Sequence, residues 1–444
     1  MQPVSTRNYR KVVIIGAGGA SFTQGFIADF IQSQTPWSWQ LTFVDISEKG
    51  LSLVCRLAQR MMEAKGSTIS ITASTNRQDA LLGADAVVVM IAVGGRDAWR
   101  NDIEIPRKYG SYMTGGETCG PSGISRALRM IPPIVEIARD VKRLCPDAVF
   151  INYSNPVPPL CLAVSQQVGI EMIGVCAGVP LTKGLLARIA GVAPERTSGI
   201  AVGLNHLSWV YSFLVDGTDG WPRIDAGFAA GTAAEYPFCR SLYERYRAFP
   251  SVNDHHAVEF YPERFADGRY QGSLLGQEIL SFDWLVNHIE AYATWVRQEA
   301  EADKPIDPEI FTRRMWCQED LIPMLSDLFA GKNTTYSVNM INQGQISNLP
   351  TGFVFEQPAC TMPTGFSPLS ITDFPEQLAA QVRRRLPSIQ MTVEAAISGS
   401  VRLFAEAMLL DGAVTQPSVA DALAWELVLT HQAYLPQFPE SPKR

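Results

Sequence analysis

KVVIIGAGGASFTQGFIADFIQ, residues 11–32, is the stretch from which the fold is read. Its apolar run 11–17 breaks at Gly16-Ala17-Gly18-Gly19, and SFTQGFIADFIQ then carries apolar side chains at helical spacing. That is a strand, a tight turn and a helix. The pattern repeats outward through QLTFVDI (40–46), a helical stretch near 49–65, ADAVVVMIAVGG (84–95), a helix from Ser122 to Leu144, DAVFINYSNP (147–156) and EMIGVC (171–176). Strands this apolar are covered on both faces, so the alternation predicts an α/β fold built on a doubly wound parallel sheet. After residue 195 longer strands follow, as in SGIAVGLNHLSWVYSFLVDG (198–217), and then mostly helical segments. A domain boundary is therefore expected between a dinucleotide-binding domain, 1–196, and an α+β domain, 197–444. The Pro-rich close LPQFPESPKR is expected to fray.

Composition narrows the function. The 444 residues carry 37 basic and 44 acidic side chains, a net charge of −7, with no Lys/Arg-rich run, which argues against a nucleic-acid partner. With 46% hydrophobic and 18% charged residues the chain has the composition of a folded protein. The longest apolar run, Ala86 to Val93, is far shorter than the ~18 residues of a membrane span. The N-terminus shows no signal-peptide pattern, so no membrane partner and a cytoplasmic location are expected. Eight cysteines without a CxxC pair suit reduced thiols.

A strand that ends in GAGG and opens a helix brings backbone N–H groups to a pyrophosphate. Gly16, Gly18 and Gly19 fit, with Ser21 at the third fingerprint position and Phe22 beside it. Asp45 ends the second strand, where a carboxylate takes the adenosine ribose hydroxyls and repels a 2′-phosphate; that favours NAD. An N-cap for the segment after it is the alternative. In an open parallel sheet ligands bind beyond the carboxyl ends of the strands, where Gly94-Gly95, Asn152, Asn155 and Cys176 fall. Asn152 fits a capped turn as well as a ligand contact, whereas Asn155 is better placed for sugar hydroxyls. His206, one of only five histidines, begins the second domain and could meet Cys176 across the cleft, although the spacing is a weak metal signal. NDHHAVEFY (253–261) places Asp254, His255, His256 and Glu259 in one short segment; His256 and Glu259 share a helix face, and Asp254 caps that helix unless a carboxylate or imidazole of the segment is a base pointing into the cleft.

Taken together, KVVIIGAGGASFTQ, FVDI, VGG with DIEIPRKYG, GGETCGPSGISRALRMIPP, NYSNP, GVCAGVP, GLNHLSW and DHHAVEF resemble glycoside hydrolase family 4, the NAD- and divalent-metal-dependent glycosidases. The matching pieces span residues 11–260 in the family's order. The resemblance implies a Rossmann domain followed by an α+β domain, similar to lactate and malate dehydrogenases. It also implies a route unlike that of two carboxylates flanking an oxocarbenium ion. The sugar is oxidised at C3 by tightly held NAD, which makes the C2 proton acidic; the aglycone is eliminated, water adds, and the ketone is reduced back.

Carried over residue by residue, the resemblance implies Cys176 and His206 as ligands of Mn2+ or another divalent metal, Asp254 as the base at C2 with Tyr261 as substitute, and Glu117 as proton donor to the aglycone. Asn155 and His256 would contact the substrate. Ala177 stands where the family has His, Asn or Asp according to substrate subgroup, which leaves the subgroup undetermined, and Trp99 stands where the phosphoglycosidases have an arginine, so a 6-phosphosugar is disfavoured. Arg96 and Arg100 are candidates for a carboxylate or sulfonate at C6, the alternative being exposed pairs with Asp97 and Asp102. An α-glycoside is expected, and the family's habit implies a homodimer or homotetramer. The competing class is a sugar or hydroxy-acid dehydrogenase with net NADH production. A nucleotide-sensing binding protein would leave the polar strand ends without purpose.

Overall fold

Period-2 alternation along the first strand sets the architecture. Val12 and Ile14 enter one apolar core and Val13 and Ile15 another, so both faces of the strand are covered. A computed structural model of the chain describes residues 8–251, 253–314 and 321–438; Cys317 and residues 439–444 of the Pro-rich close lie outside them. The parallel part comprises β1 (Tyr9–Ile15), β2 (Ser38–Val44), β3 (Ser70–Ser74), β4 (Ala86–Val89), β5 (Val149–Asn152) and β6 (Ile173–Gly174), in spatial order β3-β2-β1-β4-β5-β6. Helices Ala20–Gln32, Glu48–Lys65 and Phe282–Glu301 pack on the Val12 face, and Gly120–Leu144 and Val157–Val168 on the Val13 face. This is the doubly wound sheet expected from the alternation.

The second half begins with a hairpin of β7 (Thr197–Leu204) and β8 (Leu207–Val215), with short β9 (Thr218–Asp219) and β10 (Phe249–Pro250) on β8. A separate ribbon pairs β11 (Arg269–Tyr270) with β12 (Ser273–Leu274). Three strands then interrupt what the sequence reading took as mostly helical: β13 (Thr335–Ile341), β14 (Val354–Met362) and β15 (Gly365–Pro368). The β13–β14 pair is wedged between the halves. Asn339 of β13 pairs antiparallel with Gly174 of β6, and Glu356 of β14 pairs with Gly203 of β7. One sheet thus runs from the dinucleotide half into the hairpin half. Helices Leu386–Ser398, Val401–Asp411 and Pro417–Thr430 return to the first half, where Phe404 and Leu427 join Leu128 and Leu160 in one core. No described helix is long and apolar enough to cross a membrane. None of the seven described cysteines is in a disulfide.

Candidate active site

The glycine turn after β1 is held by close approach. Gly16 has φ +95°, and a Cβ there would stand 2.7 Å from the carbonyl oxygen of Met90, just past β4. Gly18 donates its N–H to Asp45 Oδ2 at 2.8 Å, and a Cβ on Gly18 would come within 2.7 Å of Asp45 Cγ. Asp45 Oδ1 accepts the Ser47 N–H at 2.9 Å. Ser47, not Asp45, caps Glu48–Lys65, accepting from the Gly50 N–H at 3.1 Å. Gly19 leads into Ala20–Gln32, whose first turn, with Ser21 and Phe22, has no side-chain cap and no acidic residue. Such a helix start offers its N–H groups to a phosphate. The Thr23 hydroxyl, which the sequence reading did not single out, donates to the Ala17 carbonyl at 2.8 Å and pins the turn.

At the neighbouring strand ends Asn152 is consumed by its own turn. Its Nδ2 donates to the Ser154 carbonyl at 2.9 Å and its Oδ1 accepts the Ser154 N–H at 3.0 Å. The Ser154 hydroxyl donates to the Ile91 carbonyl at 3.0 Å, tying the β5 crest to the β4 crest. Half-buried Asn155 follows, joined to Pro156 by a cis peptide bond. Cys176 Sγ accepts the Gly178 N–H at 3.3 Å. Burial pushes its thiol up to about 12, with Glu356 and Glu117 acting in the same direction.

The β7–β8 hairpin turns on Asn205-His206, and His206 takes φ +64°, a left-handed conformation uncommon for a residue with a side chain. That turn buries its ring to 6% exposure, with Nδ1 2.6 Å from the Thr118 hydroxyl. The ring stacks on His256 at 4.1 Å between centroids. Glu117 completes the group: one donor atom each of Glu117, His206 and His256 lie within 4.8 Å of one another. Burial holds His206 well below the usual histidine range and brings His256 down to about 4, so both imidazoles are neutral at pH 7. Asn205, next to His206, buries both amide atoms and sets its side chain against the Cys176 thiol. Two neutral imidazoles and a carboxylate, with the Cys176 thiol in the field of Glu117, make a donor set that suits a divalent cation.

Sequence reasoning missed the frame of this cluster. Trp99 Nε1 donates to the Gly115 carbonyl at 2.6 Å. Arg126 lies 3.8 Å from Glu117 and over the Trp99 ring, with Nη1 buried and making no hydrogen bond. His255 turns Nε2 inward, also without a partner, 3.0 Å from where a Gly115 Cβ would stand. An imidazole of segment 253–261 is among the bases that the sequence leaves open, whereas the framing roles of Trp99 and Arg126 are not legible in it.

Asp254 and the two outer arginines are placed elsewhere. The Asp254 carboxylate is 2% exposed; Oδ1 accepts the Cys239 N–H at 2.8 Å, Oδ2 the Phe238 N–H at 2.9 Å, and the Tyr270 hydroxyl donates to Oδ2. It thus holds the start of helix Pro237–Tyr246, neither capping its own helix nor presenting an oxygen to the cluster. The Tyr261 hydroxyl is likewise buried, and burial raises it above the usual range. Arg96 pairs with Glu290, and Arg100 with Asp283 at 2.6 Å and Glu104 at 3.3 Å, all half-exposed. The expected alternative partner Asp102 is instead buried between Arg129 and His431.

A Rossmann half whose Glu117 meets imidazoles from the β7–β8 hairpin and from helix Asp254–Ala257 defines an enzyme of dehydrogenase-like fold with a metal-capable site. The chain belongs to the family 4 glycosyl hydrolases: residues 11–192 match Family 4 glycosyl hydrolase and residues 201–414 match its C-terminal domain. It is similar to an alpha-galactosidase of Bacillus subtilis (strain 168), 26% identical, covering 97% of this chain and 100% of the relative. An alpha-glucosidase of Erwinia rhapontici is 27% identical, covering 96% of this chain and 98% of the relative. Among solved structures, a 6-phospho-alpha-glucosidase from gut microorganisms in complex with NAD and Mn2+ superposes with a TM-score of 0.82 at 18% identity, over 97% of this chain and 100% of the other. Cryptosporidium parvum malate dehydrogenase superposes with a TM-score of 0.53 at 14% identity, over 88% and 99%, which shows the dehydrogenase-like fold.

Proposed function

We propose that this chain hydrolyses α-linked O-glycosides by NAD-dependent oxidation at C3, deprotonation at C2, elimination, water addition and reduction. One observation carries the reading: Glu117, His206 and His256 converge in one cluster, where a pair of flanking carboxylates would serve an ordinary glycosidase. Support also comes from relatives named alpha-galactosidase and alpha-glucosidase and from the neighbour holding NAD and Mn2+. Bound NAD supplies the hydride acceptor and donor, and a bound divalent cation supplies Lewis acidity beside O2 and O3 of the sugar.

The chain's own residues do the rest. Gly16, Gly18, Gly19, Ser21, Phe22 and Asp45 hold the dinucleotide, and Asn155 orients sugar hydroxyls. His206 and His256 would hold the cation, with the Cys176 thiol, which stands outside that group of donors, as a further ligand once deprotonated, while Thr118 fixes the His206 ring through Nδ1. Glu117 passes a proton to the leaving oxygen. Because the Asp254 oxygens are already engaged, the group of this segment left to take the C2 proton is His255, whose Nε2 is unpartnered against Gly115 and whose basicity burial holds down to about 3. A C6 carboxylate or sulfonate is met by Arg126, whose Nη1 makes no hydrogen bond and only a long pair with Glu117 at 3.8 Å, better than by the closely paired Arg96 and Arg100.

The test incubates a panel of α- and β-glycosides, neutral, uronic, sulfonated and 6-phosphorylated, in D2O with NAD and Mn2+, with and without chelator. The released sugar is examined by NMR. Chelator-sensitive release with deuterium at C2 is expected. Cleavage that leaves C2 protonated, or NADH accumulating without cleavage, sinks the proposal and turns attention to the dehydrogenase reading.

A further inference from the structure

One carboxylate outside the cluster gathers an unusual number of donors. Oε1 of Glu259 accepts the N–H groups of Thr114, Gly115 and Gly116 at 2.9, 2.8 and 2.7 Å, and lies 2.8 Å from the Thr114 hydroxyl. Three successive N–H groups aimed at one oxygen form a concave anion site, filled here by the chain's own side chain. The Thr114 hydroxyl also reaches the carbonyl of His255. Glu259 is 2% exposed, so these bonds face no competition from water.

The place of these bonds matters. The 114–116 segment leads directly into Glu117 and Thr118, and it contains two glycines, Gly116 at φ +57°. A diglycine segment has wide conformational freedom unless held. Glu259 stands one helical turn after His256, so a single oxygen joins the segment that carries Glu117 to the segment that carries His256. These segments come from opposite sides of the change in strand pattern near residue 196, and only long-range contacts bring them together. Glu259 itself is not among the grouped donors.

We infer that Glu259 is a positioning residue, a strap that closes the 114–116 segment onto the 254–260 segment and thereby sets Glu117 and Thr118 against His256 and His206. The inference rests on the reading of this cluster as the cation site of a hydrolase, and its primary readout is cation binding, which does not depend on the glycosidic reaction. Glu259→Ala removes the acceptor and frees the glycines. Glu259→Gln keeps an oxygen acceptor at the same reach. Thr114→Val loosens the strap from its other end without touching the carboxylate.

The full chain and its variants are titrated with Mn2+, the free ion followed by EPR, and with NAD, followed by quenching of protein fluorescence. Expected is a loss of Mn2+ affinity of about 10-fold in Glu259→Ala, within the range for removing a partner that orients a ligand. Glu259→Gln should recover most of it, and NAD affinity should stay within about 2-fold in all variants, since the glycine turn after β1 makes none of these bonds. Thr114→Val should cost less, and the double variant Thr114→Val/Glu259→Ala should lose less than the sum of the two. Once a substrate is in hand, kcat should fall with KM little changed. Unchanged Mn2+ affinity in Glu259→Ala, equal losses of Mn2+ and NAD binding, or no recovery in Glu259→Gln would each overturn the strap. A strap confirmed by Mn2+ binding in a chain that cleaves no glycoside would overturn the proposed function and leave the strap standing.

Discussion

The glycine turn after β1 and the 254–260 segment both present polar groups to the crevice, yet they are built on opposite principles. In the turn most of the side-chain bonds are short in range: Thr23 bonds Ala17 across six positions and Asp45 Oδ1 takes the Ser47 N–H two positions on, and one long bond, Gly18 to Asp45 Oδ2 across 27, joins the ends of adjacent parallel strands. In the other segment each side chain is defined by distant partners: Asp254 by Phe238, Cys239 and Tyr270, Glu259 by residues 114–116, His256 by His206. Local bonding makes a motif that sequence displays. Distant bonding makes a site in which neighbouring carboxylates, five positions apart, serve unrelated ends.

If the two regions are energetically separate, each can be damaged alone. His206→Ala should have the largest effect, lowering Mn2+ affinity by more than about 100-fold, beyond the loss of a partner that merely orients a ligand, while NAD affinity is kept. Isothermal titration with each ligand checks it, and a parallel loss of NAD binding would break the comparison. Gly18→Ala is the converse. Its Cβ would meet Asp45 Cγ at 2.7 Å, so NAD affinity should fall by about 10-fold and stability by about 1–3 kcal/mol, with Mn2+ binding unaffected.

The pH dependence of stability probes the seam between the regions. Glu356, fully buried on β14, has its carboxyl pushed up to about 7 by burial, against the opposing bond from Ser208. Between about 4.5 and 7 the folded chain keeps a proton that the unfolded chain releases, so this group's contribution to stability falls as pH rises through that window. Glu356→Gln should therefore gain unfolding free energy relative to the parent from about pH 5 to about pH 8, by an amount on the order of 2 kcal/mol, read from denaturant titrations. A constant difference across that range would show that the carboxyl ionises in the folded chain as it does in water. The smallest effect is expected at Asp254. Asp254→Asn keeps one acceptor for helix Pro237–Tyr246 and should cost about 1–2 kcal/mol in denaturant titration, with kcat per folded molecule preserved within about 3-fold. Loss of kcat without loss of stability would return the base to Asp254.

Much of the first half was legible because its signals are periodic and short in range. The apolar runs at 11–17, 40–46 and 84–95 announce buried parallel strands, and the glycines after the first announce a turn, although what crowds them, Met90 and Asp45, comes from the neighbouring strand ends. The strands β13 and β14 were not legible. They enter the sheet through the single pairings of Asn339 with Gly174 and Glu356 with Gly203, contacts that sequence order does not announce. The cluster was legible only in pieces: Glu117, His206 and His256 were each picked out, but as acid, ligand and substrate contact. Their convergence depends on a left-handed His206 at a hairpin tip and on the bonds that close residues 114–116. Asp254 was placed in the right segment and given the wrong surroundings, because the N–H groups that occupy it lie on a helix that ends before the segment begins. Trp99 and Arg126 frame the cluster through ring and guanidinium contacts that carry no spacing rule.

The returning helices 386–430 have a consequence for descent and recombination. Phe404, Met408, Leu423 and Leu427 share a core with Leu128, Ile131, Leu160 and Val164, so the nucleotide half is completed by the last part of the chain. An exchange of halves between two relatives at residue 196 would pair a helix surface from one parent with a helical cap shaped for the other. Cores packed to the density of organic crystals tolerate such mismatches poorly. The chain is therefore expected to be inherited whole, its two halves drifting together as one unit of selection.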